Sequence, residues 1–171
     1  LVQPREASEH VVRRAADAGA IVVHVYPHAI CDAFHHDLDL LAGAGMLAGL
    51  PKFAGAAVRM RASSPKLQVL DTALLSALAG YTFDEARADR EYWGRLVESA
   101  VGAHLANAAA AGGCELFYWR ERNREVDFVV RAGRRLTAIE VKSGRAAEAL
   151  PGMAAFAAAF KPQRKLLVGG D

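Results

Sequence analysis

Apolar residues recur at helical spacing in two stretches near the beginning of the chain. Residues 7–18 and residues 29–42 each place four apolar side chains on one side of a helix. Gly43 and Gly45 follow the second stretch, and glycine is favoured where a helix ends. The pattern therefore predicts two amphipathic helices before residue 46.

The pattern then changes to short alternating runs. Residues 46–53, 57–61 and 66–70 alternate apolar and polar side chains, which is typical of short strands. Helices followed by a hairpin predict a winged-helix-like segment over residues 1–64, although plain packing units show the same order. The polar stretch 62–65 marks the expected boundary with a second domain, residues 65–171.

The second domain begins with a short and a long predicted helix. Residues 71–79 carry Leu74, Leu75 and Leu78 as expected buried positions, with Asp71 as the N-terminal cap. Residues 91–111 carry an apolar stripe that ends at two glycines.

Three strands, a helix and a last strand complete the predicted order. The strands cover residues 114–120, 124–131 and 135–143, with a turn at Ala132 and Gly133. An alanine-rich helix over residues 146–160, broken or started by Pro151, and a buried strand over residues 165–169 follow. This order predicts an α/β fold.

Strand alternation brings three polar residues together. Asp127 alternates with the apolar Val126 and Phe128, and Glu140 and Lys142 alternate with apolar neighbours in the next strand. If the two strands pair antiparallel, Asp127 lies within reach of Glu140 and Lys142. Glu98 follows two apolar residues of the long helix and adds a third acid.

Clustered carboxylates repel each other unless a cation neutralises them. The pattern predicts a site that binds Mg²⁺ or Mn²⁺ and hydrolyses phosphodiester bonds. The expected metal ligands are Asp127, Glu140 and Glu98, and Lys142 is expected beside the ion. The alternative is an ordinary Glu140–Lys142 ion pair, worth well under about 1 kcal/mol, with Glu98 at the edge of the apolar stripe. Phosphate or water contacts are expected from the remaining candidates, Arg120, Asn123, Ser143 and Arg145.

Charge and composition narrow the class of protein to which the chain can belong. The chain of 171 residues is 53% hydrophobic with a net charge of +2 and two cysteines, which excludes a disulfide framework and a zinc knuckle. Positive charge is concentrated in residues 118–145, either as an arginine-rich surface or as a polyanion site. No long apolar run, signal peptide or phosphate-loop motif is present, so we expect a cytoplasmic chain without a membrane span or a nucleotide-binding loop of its own.

The blocks SSPKLQVLDTALLSALAG, WGRLVES, LFYWRERNREVDFVV and LTAIEVKSG resemble a family. They are similar to the C-terminal region of prokaryotic AAA-type ATPases that is described only as a domain of unknown function. The similarity runs from about residue 38 to residue 169, with EVDF and IEVKSG as its most specific parts.

The resemblance implies a restriction-endonuclease-like core of the PD-(D/E)XK type, preceded by a winged-helix-like segment. It places Glu98, Asp127, Glu140 and Lys142 on the helix acid, the strand acid and the ExK motif. It further implies DNA as a partner and an ATPase domain that this chain lacks, which agrees with a piece that begins at Leu1. Cleavage of DNA is one expectation, and a catalytically silent module that binds DNA or a protein is the other. The sequence leaves the oligomeric state open, including a homo-oligomer.

Overall fold

The computed structural model describes residues 29–55, 65–144 and 150–169. The chain divides into two compact units, Leu1–Asp39 and Leu40–Asp171. Helix α1, Ala29–Gly43, spans this division and agrees with the predicted second helix. The predicted helix over residues 7–18, the predicted strand over residues 57–61 and most of the expected domain boundary lie outside the described residues.

A two-stranded sheet follows α1. Strand β1, Leu47–Leu50, pairs antiparallel with β2, Lys66–Val69. Strand β2 lies against a long helix, because the buried Gln68 donates from Nε2 to the carbonyl oxygen of Ser99 at 2.9 Å. This contact fixes the position of β2 beside that helix.

Three helices follow β2, and local capping explains where they begin. Helix α2, Thr72–Ala79, begins after Asp71, whose side chain accepts the N–H of Ala73 as predicted. Helix α3, Phe83–Ala88, begins with a reciprocal capping box between Thr82 and Glu85. Helix α4, Arg90–Ala110, is capped by Asp89 and ends before Gly112, which has a φ of 88°.

The larger sheet has four strands in the order β3-β4-β5-β6. Strands β3 (Glu115–Glu121), β4 (Arg124–Ala132) and β5 (Arg135–Lys142) form an antiparallel meander. Helix α5, Pro151–Phe160, begins with proline in its first turn and leads to β6, Arg164–Gly169, which pairs parallel to β5. The result is a mixed α/β structure with two sheets.

Two apolar clusters form the core, one on each face of the four-stranded sheet. Met153 and Phe156 of α5 pack in one cluster with Trp119, Val126 and Val129. In the other cluster, residues of α4 pack on Phe128, Ile139 and Val141. The sheet is therefore covered by α4 on one face and by α5 on the other.

The register of β3 and β4 shifts by one residue near the middle of the pair. Phe117 pairs with Val129 and Trp119 pairs with Val126, so Asp127 and Phe128 together face a single residue of β3. Such an extra residue is a β-bulge, which redirects the side chains around it. The simple alternation predicted for β4 is therefore wrong, since Val126 and Val129 share one cluster while Phe128 lies in the other.

Two further expectations about burial are wrong. No residue of α2 is buried, and Leu78 is 85% exposed, because α2 packs only partly against α4. Strand β6 forms an edge of the sheet, and Leu166 and Leu167 are 44% and 41% exposed. Across the described ranges, no helix has the length and hydropathy needed to cross a bilayer.

Candidate functional site

The strands β4 and β5 separate at the candidate site. Their pairing ends at Phe128 and Ile139, after which β4 continues beside β3 and β5 continues beside β6. Asp127 and Glu140 are the next residues on the two strands. We call this point of separation, at Asp127 and Glu140, the fork. It lies at the two carboxylates that the sequence predicts to meet.

Asp127 reaches across this fork with its side chain. Its Oδ2 accepts the backbone N–H of Val141 at 2.8 Å, which places the carboxylate beside the peptide that follows Glu140. The β-bulge at Asp127 and Phe128 allows Phe128 to enter the core under α4 while Asp127 turns to the fork. Asp127 and Glu140 are thus brought together.

Burial raises the pKa of Asp127 from its ordinary value of 3.8 to about 6. The hydrogen bond from Val141 opposes this shift, whereas the negative charges of Glu140 and Glu98 add to it and the Lys66 ammonium lowers it. The Lys142 ammonium also interacts with the Asp127 carboxylate, so acids and lysines both surround this largely buried group.

Glu140 is more enclosed than Glu98 and Glu125. Its side chain is 12% exposed, and its Oε1 accepts from Lys142 Nζ at 2.8 Å. Its Oε2 is buried and has no hydrogen-bond partner. Burial lowers the pKa of Lys142, but the hydrogen bond and charge of Glu140 outweigh burial and the net shift is upward. The ion pair leaves one carboxylate oxygen of Glu140 without a donor.

Glu98 lies in the middle of α4 and is held by Lys66, which is not among the site residues predicted from the sequence. Lys66 Nζ lies 2.6 Å from Glu98 Oε1 and 3.2 Å from Glu125 Oε1. Within the described ranges, no group of three or more His, Cys, Asp and Glu side chains is arranged to hold an ion. The acids available to a cation are therefore the pair Asp127 and Glu140.

This pair fits a divalent cation on two observations. The buried Oε2 of Glu140 lacks a donor, and an unsatisfied buried acceptor costs about 1–3 kcal/mol or more when charged. Burial disfavours the charged form of the Asp127 carboxyl, and this is the main cause of its raised pKa. A hard cation with oxygen ligands would satisfy both groups.

The predicted phosphate contacts lie in different places. Arg120 Nε lies 3.1 Å from Glu125 Oε2, so Arg120 is ion-paired at the end of β3. Ser143 follows β5, and its Oγ lies close to Gly94 on α4, 3.3 Å from where a Cβ would stand. Asn123 lies in the β3–β4 turn, and Arg145 lies outside the described residues.

An open cavity of about 440 Å³ lies at the β3–β4 turn. It is lined by residues of both strands, the turn and α5: Trp119, Glu121, Arg122, Asn123, Arg124 and Ala155. Arg122 has a φ of 53°, a conformation that favours glycine. Arg122 and Arg124 are not among the residues predicted from the sequence, although their charge within a turn was a signal.

The two histidines whose side chains the structure describes are exposed and are not among the residues of this site. His36 and His104 are exposed, and the remaining histidine side chains lie outside the described residues. Arg131 is also engaged elsewhere, because it makes two bonds to Glu115 at 2.6 and 2.8 Å. Arg120 and Arg131 thus pair with acids, whereas Arg122 and Arg124 of the β3–β4 turn line the open cavity.

Comparison with known proteins gives a partial match. Residues 93–170 match the model of a family described as a domain of unknown function, DUF4143. No curated protein and no solved structure matches the chain. The matched segment contains most of α4, the four-stranded sheet and α5, and with them Glu98, Asp127, Glu140 and Lys142. Lys66 lies outside it.

Proposed function

We propose that residues 65–171 form a metal-dependent nuclease-like domain of the PD-(D/E)XK type that hydrolyses phosphodiester bonds in DNA. The observation that carries the proposal is the fork of β4 and β5. There, Asp127 and the unsatisfied Oε2 of Glu140 lie beside a lysine that is two residues along the same strand. An unsatisfied buried carboxylate oxygen destabilises the fold, whereas two acids and a lysine can together bind a metal ion and a phosphate group.

The order of elements supports the proposal. A helix, a three-stranded antiparallel meander, a second helix and a parallel strand follow one another from α4 to β6. This is the order that the resemblance to PD-(D/E)XK nucleases implies. Attachment to an AAA-type ATPase in a longer protein is part of the same proposal.

In the proposed reaction, Asp127 and Glu140 would hold Mg²⁺ or Mn²⁺, which would supply a water of lowered pKa and positive charge for the phosphate. The ammonium group of Lys142 orients the water and offsets the charge that develops on the phosphate oxygens. The water oxygen would form the new bond to phosphorus and release a proton to solvent, while the ester P–O bond breaks and the leaving oxygen takes up a proton from solvent.

Cleavage is tested with the 171-residue chain, supercoiled plasmid and single-stranded DNA, in Mn²⁺, Mg²⁺ or EDTA. We expect nicking that needs the metal ion and falls at least about 100-fold in Lys142→Met. Lys165→Met is the matched control, because it removes a lysine from the exposed strand β6. Equal nicking by wild type and Lys142→Met identifies a contaminating nuclease and contradicts the proposal.

A silent binding module is the second candidate, and one observation favours it. Each lysine at the fork is already engaged by an acid, Lys142 by Glu140 and Lys66 by Glu98. Such a module predicts salt-sensitive DNA binding that persists in EDTA and in Asp127→Asn, without turnover by the wild type. Fluorescence anisotropy over a salt series distinguishes it from the nuclease.

A further inference from the structure

Lys66 places a positive charge beside the acids near the fork. It lies outside residues 93–170, the segment that matches the family model. Its Nζ bonds Glu98 at 2.6 Å and Glu125 at 3.2 Å, and it lies 5.9 Å from the ring centroid of Phe128. Glu125 has a second cation, because Arg120 bonds its other oxygen at 3.1 Å. Glu98 has no second ion pair among the residues the structure describes. The position of the Glu98 carboxylate therefore depends on Lys66.

The position of Lys66 is set by close packing between β2 and α4. Gln68, two residues further along β2, is 4% exposed and bonds the carbonyl of Ser99, the residue after Glu98. Gly102 leaves room for this side chain, because a Cβ there would collide with Gln68. A glycine inside a helix costs about 1 kcal/mol relative to alanine. The chain accepts that cost where β2 approaches α4.

These groups lie against the part of β4 that carries Asp127. Lys66 Nζ is 3.2 Å from Glu125 and 5.9 Å from the ring centroid of Phe128, so it contacts β4 on both sides of Asp127, and Glu98 is held on the same ammonium group. The Lys66–Glu98 ion pair is about 30% exposed on both sides, so water can replace either partner when the pair opens. Opening the pair would free a carboxylate beside the two that are already available.

We propose that Lys66 is a positioning residue that withholds Glu98 from the cation site, so that Glu98 becomes a ligand only when the Lys66–Glu98 ion pair opens. This inference rests on the proposed function, since it assumes a divalent cation at Asp127 and Glu140. In the closed state the site has two acids, and in the open state it has three. Lys66 thus couples the β1–β2 hairpin to the affinity of the site for its ion.

Direct Mn²⁺ binding to the full chain tests this inference by isothermal titration calorimetry, with no DNA present. We expect Lys66→Met to bind Mn²⁺ about tenfold more tightly than the wild type, the size of effect typical of residues that orient metal ligands. Glu98→Gln alone should change the affinity less than about threefold, because Lys66 already withholds the carboxylate. Arg95→Met is the charge control, since it removes an exposed cation from α4 that pairs with Glu91.

The double variant separates a specific release of Glu98 from a general loss of positive charge. If Lys66 acts through Glu98, Lys66→Met combined with Glu98→Gln returns to the wild-type affinity. A tenfold gain that persists in the double variant, or an equal gain in Arg95→Met, overturns the inference. Should Lys66→Met fail to fold, Lys66→Gln takes its place in the same cycle.

Failure of the proposed function has a different result. Mn²⁺ binding that is the same in the wild type and in Asp127→Asn contradicts a cation site at the fork and overturns both proposals. Loss of binding in Asp127→Asn, together with an unchanged affinity in Lys66→Met, overturns the role of Lys66 alone.

Discussion

Asp127 and Val141 are joined by a side-chain hydrogen bond at the point where their strands stop pairing. Oδ2 of Asp127 accepts the Val141 N–H at 2.8 Å, one residue beyond the last backbone pair, Phe128 with Ile139. The Asp127 carboxylate thus accepts the backbone N–H of Val141, which has no backbone partner in β4 beyond that last pair. This bond holds Asp127 at the candidate site while its burial disfavours the charged form.

The pKa of Asp127 predicts how stability depends on pH. The folded protein holds the Asp127 proton up to about pH 6, whereas the unfolded chain releases it near 3.8. Stability contributed by protonated Asp127 is therefore complete below about pH 4 and is lost as the pH rises to about 6. Allowing for partial exposure, the loss is on the order of 1–2 kcal/mol.

Asp127→Asn removes this titration. We expect the free energy of unfolding in urea to fall less in the variant than in the wild type between about pH 4 and pH 7. Saturating Mg²⁺ should stabilise the wild type at about pH 7 and leave Asp127→Asn unchanged. Parallel pH profiles for the two proteins would show that Asp127 does not titrate in this range.

Gly152→Ala is predicted to destabilise the protein, although alanine is the better helix former. A Cβ at this position in α5 would collide with the backbone carbonyl of Glu125 in β4. The propensity scale favours alanine by about 1 kcal/mol, and we expect the collision to reverse this to a loss of about 1–3 kcal/mol. Gly113→Ala is the control, because nothing lies within 4 Å of its added Cβ. Thermal unfolding of the two variants measures the difference, and equal midpoints contradict the close packing.

Arg122→Gly is predicted to strengthen the β3–β4 turn and to weaken DNA binding. Glycine relieves the left-handed φ of 53°, which costs an L-residue about 1–2 kcal/mol. Loss of one phosphate contact should reduce the slope of log affinity against log salt by about 0.9. Arg122→Lys keeps the charge and the strain, so it should keep the wild-type slope. A slope that is equal in all three proteins places the DNA elsewhere.

Leu78→Gln tests the finding that α2 has no buried residue. With 85% of Leu78 exposed, we expect the free energy of unfolding to change by less than about 0.5 kcal/mol. Phe156→Ala is the comparison, since this residue is fully buried beneath the sheet and should cost about 3–5 kcal/mol. A large loss in Leu78→Gln would mean that α2 is covered in solution.

Local signals in the sequence predicted most of the elements. Asp71 at a helix start, Pro151 in a first turn and Gly133 in a two-residue turn act on their immediate neighbours, so their effect is visible without the fold. The burial of Leu78 was mispredicted because periodicity shows which side of a helix is apolar but not how much of it a neighbour covers.

The parts of the site that the sequence did not indicate depend on distant contacts. Lys66 is 32 residues from Glu98 and 59 from Glu125, and no spacing rule connects them. The β-bulge depends on how β3 pairs with β4, which strand alternation alone cannot specify. Asp127, Glu140 and Lys142 could be predicted from the sequence because they lie on consecutive strands joined by a short turn.

The β-bulge makes chain length at one position as important as chemistry. Asp127 and Phe128 share one opposing residue, so removing either would restore a regular ladder. Deleting Asp127 would leave Val126 opposite Trp119 and Val129 opposite Phe117, so both valines would stay in the cluster beneath α5 while the acid is lost. The extra residue is therefore what allows β4 to bury Phe128 and also to present Asp127 at the fork, and its deletion should remove the acid without exposing the core. Functional relatives of this chain are expected to keep the acid at position 127 and also the number of residues between Val126 and Val129.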